Sequence, residues 1–207
     1  MAASKKEGRP TPRRKAAGKT AKALSPKGKS RSAPKAKRVT PPVETVMDLA
    51  RRYFFTGFHC TESILKAFNE RLKLGLGKES LRMATGLSAG IGKAKCACGC
   101  LTGGTMVISC LYGRTESHLD ETLVFDLTKE LHDRFQQAFK HSCCRLLTRE
   151  VRWGHPEHTA HCAELVATTA GLVREILLET EQNIELNPAY LGKHKKKGPT
   201  LAELLAV

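Results

Sequence analysis

Residues 58–72 read FHCTESILKAFNERL. Within them Cys60, Ile64, Phe68 and Leu72 stand four apart, which is one stripe of a helix with 3.6 residues per turn. Gly57 precedes the pattern and Leu74-Gly75-Leu76-Gly77 ends it, so a helix is expected from about His59 to Leu72. Its stripe begins with a cysteine at the helix start.

The same period extends on both sides. Upstream, Val43, Val46, Met47, Ala50 and Phe54 predict a helix over Val43–Phe54. Downstream, a short helix is expected from Lys78 to about Thr85. A glycine-rich loop over 86–99 follows, punctuated by Gly86, Gly90, Gly92 and Gly99. The next helix runs from about Cys100 to Tyr112, with Gly113 as its stop.

Asp120-Glu121 suits an N-terminus, and Val124, Leu127, Leu131, Phe135 and Phe139 carry that helix to about Lys140 or beyond. After the turn Trp153–Pro156, a long helix over Glu157–Glu179 aligns Cys162, Leu165, Val166, Thr169, Val173 and Ile176. A short helix is expected over Leu201–Ala206. No segment alternates with period two. The fold class is all-α, a compact bundle of five to six helices.

Charge divides the chain. Residues 1–42 hold nine Lys and five Arg against Glu7 alone, so they carry +13 of the net +15. They also contain six of the nine Pro and no aromatic residue. Such a segment cannot bury enough surface to offset its ordering entropy, so residues 1–42 are expected to form a disordered basic tail. A helical domain follows over 43–180, and 181–207 forms a second basic extension.

Tail runs such as Lys15-Ala16-Ala17-Gly18-Lys19 resemble linker-histone-like tails, which bind nucleic acid without reading sequence. Base stacking is not open to a segment without aromatics. Neither a secretory signal nor a membrane-length apolar run is found, so the expected location is cytoplasmic, with no membrane partner. Walker-type phosphate loops and the Gly-x-Ser-x-Gly elbow of a hydrolase are missing from the sequence.

Eight cysteines are many for such a chain: Cys60, Cys96, Cys98, Cys100, Cys110, Cys143, Cys144 and Cys162. In a reducing compartment, clustered cysteines point to metal, cluster or redox chemistry. Cys60, Cys98, Cys100 and Cys162 fall near expected helix N-termini, where unpaired N–H groups and the macrodipole stabilise thiolates. Cys143 and Cys144 are expected near the far end of a helix. Cys110 lies mid-helix in an apolar run and is assigned to the core.

Gly90-Ile91-Gly92 leading into Cys98-Gly99-Cys100-Leu101-Thr102-Gly103 resembles the C-G-A-x-x-G signature of the redox-active C_GCAxxG_C_C family. Phe58-His59-Cys60 with Ile64-Leu65 is similar to that family's first cysteine helix. Cys144-Arg145-Leu146-Leu147 and Cys162-Ala163-Glu164-Leu165-Val166 are similar to its third and fourth cysteine elements. The resemblance covers roughly residues 45–180. It departs at Cys100, which stands for the signature's alanine, and at the extra thiol Cys96. Helical periodicity from Phe135 and Phe139 favours Cys143 for the inward stripe, whereas the resemblance favours Cys144, which is followed here.

The resemblance implies a redox role for Cys60, Cys98, Cys144 and Cys162. Four thiolates are the usual count for an iron–sulfur cluster, and Cys96, Cys100 and Cys143 are secondary candidates for its ligand positions. Gly90, Gly92, Gly99 and Gly103 would let backbone N–H groups approach such a cofactor. Without metal, Cys98 would attack a disulfide and Cys144 or Cys162 would resolve it. Zinc fits the ligand set, although no pair of C-x-x-C knuckles is present. A homodimer is open too, because a cluster can bridge two subunits. The sequence does not identify the redox partner.

Overall fold

A computed structural model describes residues 44–183 and 200–205. The expected basic tail at 1–42, and most of the extension at 181–207, lie outside the described residues. Helix α1 (Val46–Phe55) begins three residues later than its apolar pattern suggests, because Thr45 caps it. The Thr45 hydroxyl accepts the Asp48 N–H at 3.0 Å, and the Asp48 carboxylate accepts the Thr45 N–H at 3.3 Å. This reciprocal capping box satisfies two N–H groups that the helix would otherwise leave unpaired.

Helix α2 (Cys60–Leu72) opens on Cys60, as its stripe implies, and closes on Lys73 in the left-handed region. Helix α3 (Lys78–Met83) leads through a 3-10 turn at Thr85–Leu87 into the single turn α4 (Ser88–Ile91). That turn is irregular: Ala89 and Gly90 have φ of 55° and 69°. Helix α5 (Gly99–Tyr112) follows, then α6 (Thr122–Phe139).

Helix α6 ends at Phe139, the near end of the expected range, because Lys140, with a φ of 66°, breaks the helical path. Cys143 and Cys144 therefore do not ride the end of a long helix. Cys143 is extended, and Cys144 starts the separate short turn α7 (Cys144–Leu147). The sequence hid this stop because a lysine, rather than the usual glycine, takes the left-handed position. Helix α8 (Pro156–Asn183) is the longest, and α9 (Leu201–Leu205) packs on α8 and α2.

Helices α1 and α2 pack together, α1 along α8 and α2 along α5, while α5 also meets α6 and α8. Their shared core contains Ile64, Leu65 and Phe68 of α2, Val107 and Ile108 of α5, Leu131 and Phe135 of α6, and Val166, Val173 and Leu177 of α8. Burying each such side chain contributes roughly 1.5–3 kcal/mol before entropy is counted. The fold is all-α. Among the described residues there is no strand, and Ala97 and Cys143 form an isolated antiparallel bridge.

Three glycines of α5 set its distance from its neighbours. A Cβ on Gly103 would come 3.0 Å from the Thr61 carbonyl oxygen, and one on Gly104 would come 2.6 Å from Leu131. A Cβ on Gly99 would overlap Cys60 Sγ and approach Thr61 Oγ1 to 2.8 Å. So α5 lies against α2 on one side and against α6 and α8 on the other, closer than any larger residue permits. Cys110 is exposed, contrary to the core assignment. Helix α5 is apolar nearly all round, so composition could not set which of its sides faces inward.

Candidate functional site

Each cysteine is placed by a distinct local device. Cys60 is the first residue of α2, and His59 before it donates its N–H to Glu62 Oε2 at 2.8 Å. The other Glu62 oxygen accepts the Thr85 hydroxyl at 2.6 Å, fastening the start of α2 to the 3-10 turn. Cys98 is the N-cap of α5, and Cys100 is that helix's second residue. Thr61 donates its hydroxyl to the Gly99 carbonyl at 2.9 Å, locking the two helix starts side by side.

Cys144 is held by the glycine-rich loop. Its N–H donates to the Cys96 carbonyl at 2.6 Å, and the Cys98 N–H donates to the Ser142 carbonyl at 2.9 Å. The Cys96 N–H returns to the Gly90 carbonyl at 2.9 Å. A Cβ on Gly90 would lie 2.7 Å from Cys144 Cβ and equally close to two backbone atoms. Gly90 also sits at φ +69°, so it is required twice over. Cys162 stands in the second turn of α8, with His158 one turn before it and Nε2 3.5 Å from its sulfur.

One cavity of about 400 Å³ is lined by Cys60, Cys98, Cys100, Cys144 and Cys162 together. Five thiols from four chain segments thus share one space. Cys98, Cys100 and Cys144 are buried, whereas Cys60 and Cys162 are partly buried. Of the remaining candidates, Cys96 is exposed, and Cys143 turns its thiol to the Lys95 carbonyl at 3.3 Å and does not line the cavity. Neither do Gly90, Gly92, Gly99 and Gly103. Gly90 and Gly99 act instead by letting Cys144 and Cys60 come close.

The thiols are not equivalent. Cys60 is held down to about 6, first by the hydrogen bond from the Cys100 thiol and then by the backbone N–H groups of Ala89 and Thr61, against the cost of burial. Cys100 is raised well above its usual value, because its proton is held by Cys60 and Cys98 and its surroundings are dry. Cys144 and Cys162 are each pushed up to about 12 by burial and by the nearby Cys98 and Cys60 sulfurs. The Cys60 thiolate therefore shares the cavity with three thiols, Cys100, Cys144 and Cys162, that hold their protons more tightly than usual.

His158 was not singled out by its sequence context. Its ring stacks on Trp153 at 4.6 Å between centroids, and burial lowers its pKa, so it is neutral at neutral pH. The available signal was the four-residue spacing to Cys162 on a helix. His161, by contrast, pairs with the Leu147 carbonyl at 2.8 Å.

The donor set fits an iron–sulfur cluster in number, since Cys60, Cys98, Cys144 and Cys162 all line one cavity. Among the described residues no group of three or more His, Cys, Asp or Glu side chains is drawn together around a single-ion site. The chemistry these residues display by themselves is that of thiols. Among the described residues no helix is long and apolar enough to cross a membrane.

No curated protein and no solved structure matches this chain. The motif Gly-Cys-Ala-x-x-Gly reads onto Gly99-Cys100-Leu101-Thr102-Gly103-Gly104 with leucine for alanine, so Cys100 is itself a signature position in that register. Residues 58–176, which include all five cavity cysteines, match the family model described as "Putative redox-active protein (C_GCAxxG_C_C)", and the chain belongs to that family.

Proposed function

We propose that this protein is a thiol–disulfide redox protein in which Cys60 is the nucleophile and Cys100 the resolving thiol. The reading rests on one observation: Cys60 begins a 13-residue helix and faces a cavity that it shares with Cys100 and three further thiols; Cys100 is also the first cause of its lowered pKa. It moves the attacking role from Cys98, where the sequence suggested it, to Cys60. Cys98 stays beside the pair through its contact with Cys100.

The steps balance without a cofactor. The Cys60 thiolate attacks one sulfur of a substrate disulfide, breaking that S–S bond and releasing one substrate thiolate, which takes a proton from water. Attack removes the charge that held the Cys100 proton, so the main cause of its high pKa disappears. Cys100 then gives up its proton and attacks Cys60 Sγ, releasing the second substrate thiol. Two electrons pass to the substrate, and an external dithiol reduces the Cys60–Cys100 bond.

The test is alkylation mapping of the full chain equilibrated across a glutathione redox series. Cys60 and Cys100 should lose their free thiols together, as one two-electron couple. Persistence of a free Cys60 while other pairs oxidise would overturn the assignment.

A second reading keeps Cys60, Cys98, Cys144 and Cys162 as the four thiolates of an iron–sulfur cluster, supported by their meeting on one cavity from four segments. Anaerobic purification with iron and sulfide analysis tests it. Stoichiometric iron lost equally in Cys→Ser variants at all four positions would favour the cluster. A colourless, iron-free protein with titratable thiols would remove it.

A further inference from the structure

The cavity walls beyond the sulfurs carry a second message. Phe54, Phe55, Phe58, Trp153 and Leu165 line it, and Phe55 is 59% exposed whereas Cys98 and Cys100 are 3% and 1% exposed. The lining thus runs from exposed aromatic rings to buried sulfur. Among the described residues no Asp or Glu lines the cavity, but Lys93 does. Lys95 Nζ stands 4.2 Å from the centre of the Trp153 ring, and Lys66 Nζ 4.6 Å from that of Phe58. None of these three lysines has a carboxylate partner among the described residues. Trp153 is fixed by donating Nε1–H to Thr148 Oγ1 at 2.8 Å, so the aromatic wall is set in advance.

From this combination we infer that the site takes a small apolar disulfide bearing an anionic group, its apolar body among the aromatic rings and its anion toward Lys93. Apolar walls reward burial of a hydrophobic body. A cation at the edge of a low-dielectric space attracts an anion more strongly than a free lysine does in water. Deep burial of Cys98 and Cys100 favours a slender ligand over a folded protein's surface. The disulfide identity rests on the thiol reading above, whereas the preference for an apolar anion rests on the cavity alone.

Lipoate and lipoamide separate the two, because they share one cyclic disulfide and differ in a carboxylate. Trp153 is the chain's single tryptophan and lines the cavity, so quenching of its fluorescence reports occupancy. In full-length Cys60→Ser, where no exchange can begin at residue 60, lipoate should saturate at a concentration about fivefold lower than lipoamide. Lys93→Glu should abolish that preference. Lys93→Asn, which tolerates the left-handed backbone at this position (φ 70°), should do the same without added strain.

Equal affinity for the two ligands, or no saturation by either, overturns the inference. With Cys60 restored, lipoate should be reduced to its dithiol in a single turnover. Charge-dependent binding without reduction would leave the apolar-anion site standing and overturn the thiol–disulfide reading instead.

Discussion

Gly99 lies so close to Cys60 that the smallest side chain at position 99 would overlap the sulfur. The family's glycine therefore serves the cysteine of another helix. Gly99→Ala should destabilise the protein by about 1–3 kcal/mol through overpacking. It should also change the alkylation rate of Cys60. Gly86→Ala is the matched control: a Cβ there meets open space, so its effect should stay within about 1 kcal/mol. Urea midpoints of the two variants check the pair, and equal losses would contradict the close approach.

The lowered Cys60 pKa fixes a direction for pH dependence. Its alkylation rate by iodoacetamide should rise with an inflection near pH 6. Between about 6 and the ordinary value of 9 the folded state holds fewer protons at Cys60 than the unfolded chain, so stability rises with pH across that window. Cys144 and Cys162 act oppositely, because their pKa values are raised to about 12. Their contribution is complete below pH 9 and is lost as pH climbs toward 12. Cys100→Ala removes the thiol donor and should move the Cys60 inflection upward by about one pH unit or more. An unmoved inflection would show that Cys100 does not hold the thiolate.

Helix content, and the inward stripes of α2, α6 and α8, were legible because their apolar residues repeat with a clear phase. Cys60 and Cys162 were found that way. The choice between Cys143 and Cys144 was not legible from periodicity, since continuing the Phe135–Phe139 stripe assumes that the helix continues. It stops at Lys140, and no local residue type announces that. Cys110 was misplaced because α5 lacks a polar side to set its phase. The hydrogen bond between Cys60 and Cys100 was invisible for another reason: it depends on how closely two helices approach, which Gly99, Gly103 and Gly104 determine together.

Residues 1–42 carry +13 and no aromatic residue, so nucleic-acid binding by them would run on charge alone. Full-length protein should bind random duplex DNA with an affinity that falls linearly in a plot of log K against log salt, as counterion release requires. A chain beginning at Val43 should lose most of that affinity. Retained binding, with the same salt slope, would place the nucleic-acid surface on the helical body.

The turn next to the thiolate is built from strained backbone. Ala89, Ile91, Lys93 and Lys95 have φ between 55° and 70°, a region costing a side-chain-bearing residue about 1–2 kcal/mol. The Ala89 N–H is one of the groups that lower the Cys60 pKa, so strain at Ala89 is tied to the thiolate. Ile91 offers a separable test: it is β-branched and 41% exposed, so Ile91→Gly loses little packing. Relief of strain there exceeds the entropy that glycine adds to the unfolded chain, and stability should rise by up to about 1 kcal/mol. The pH 6 inflection of Cys60 should stay in place, because Ala89 keeps its own φ. A gain in stability accompanied by an upward shift of that inflection would mean that the whole turn, rather than Ala89 alone, sets the thiolate.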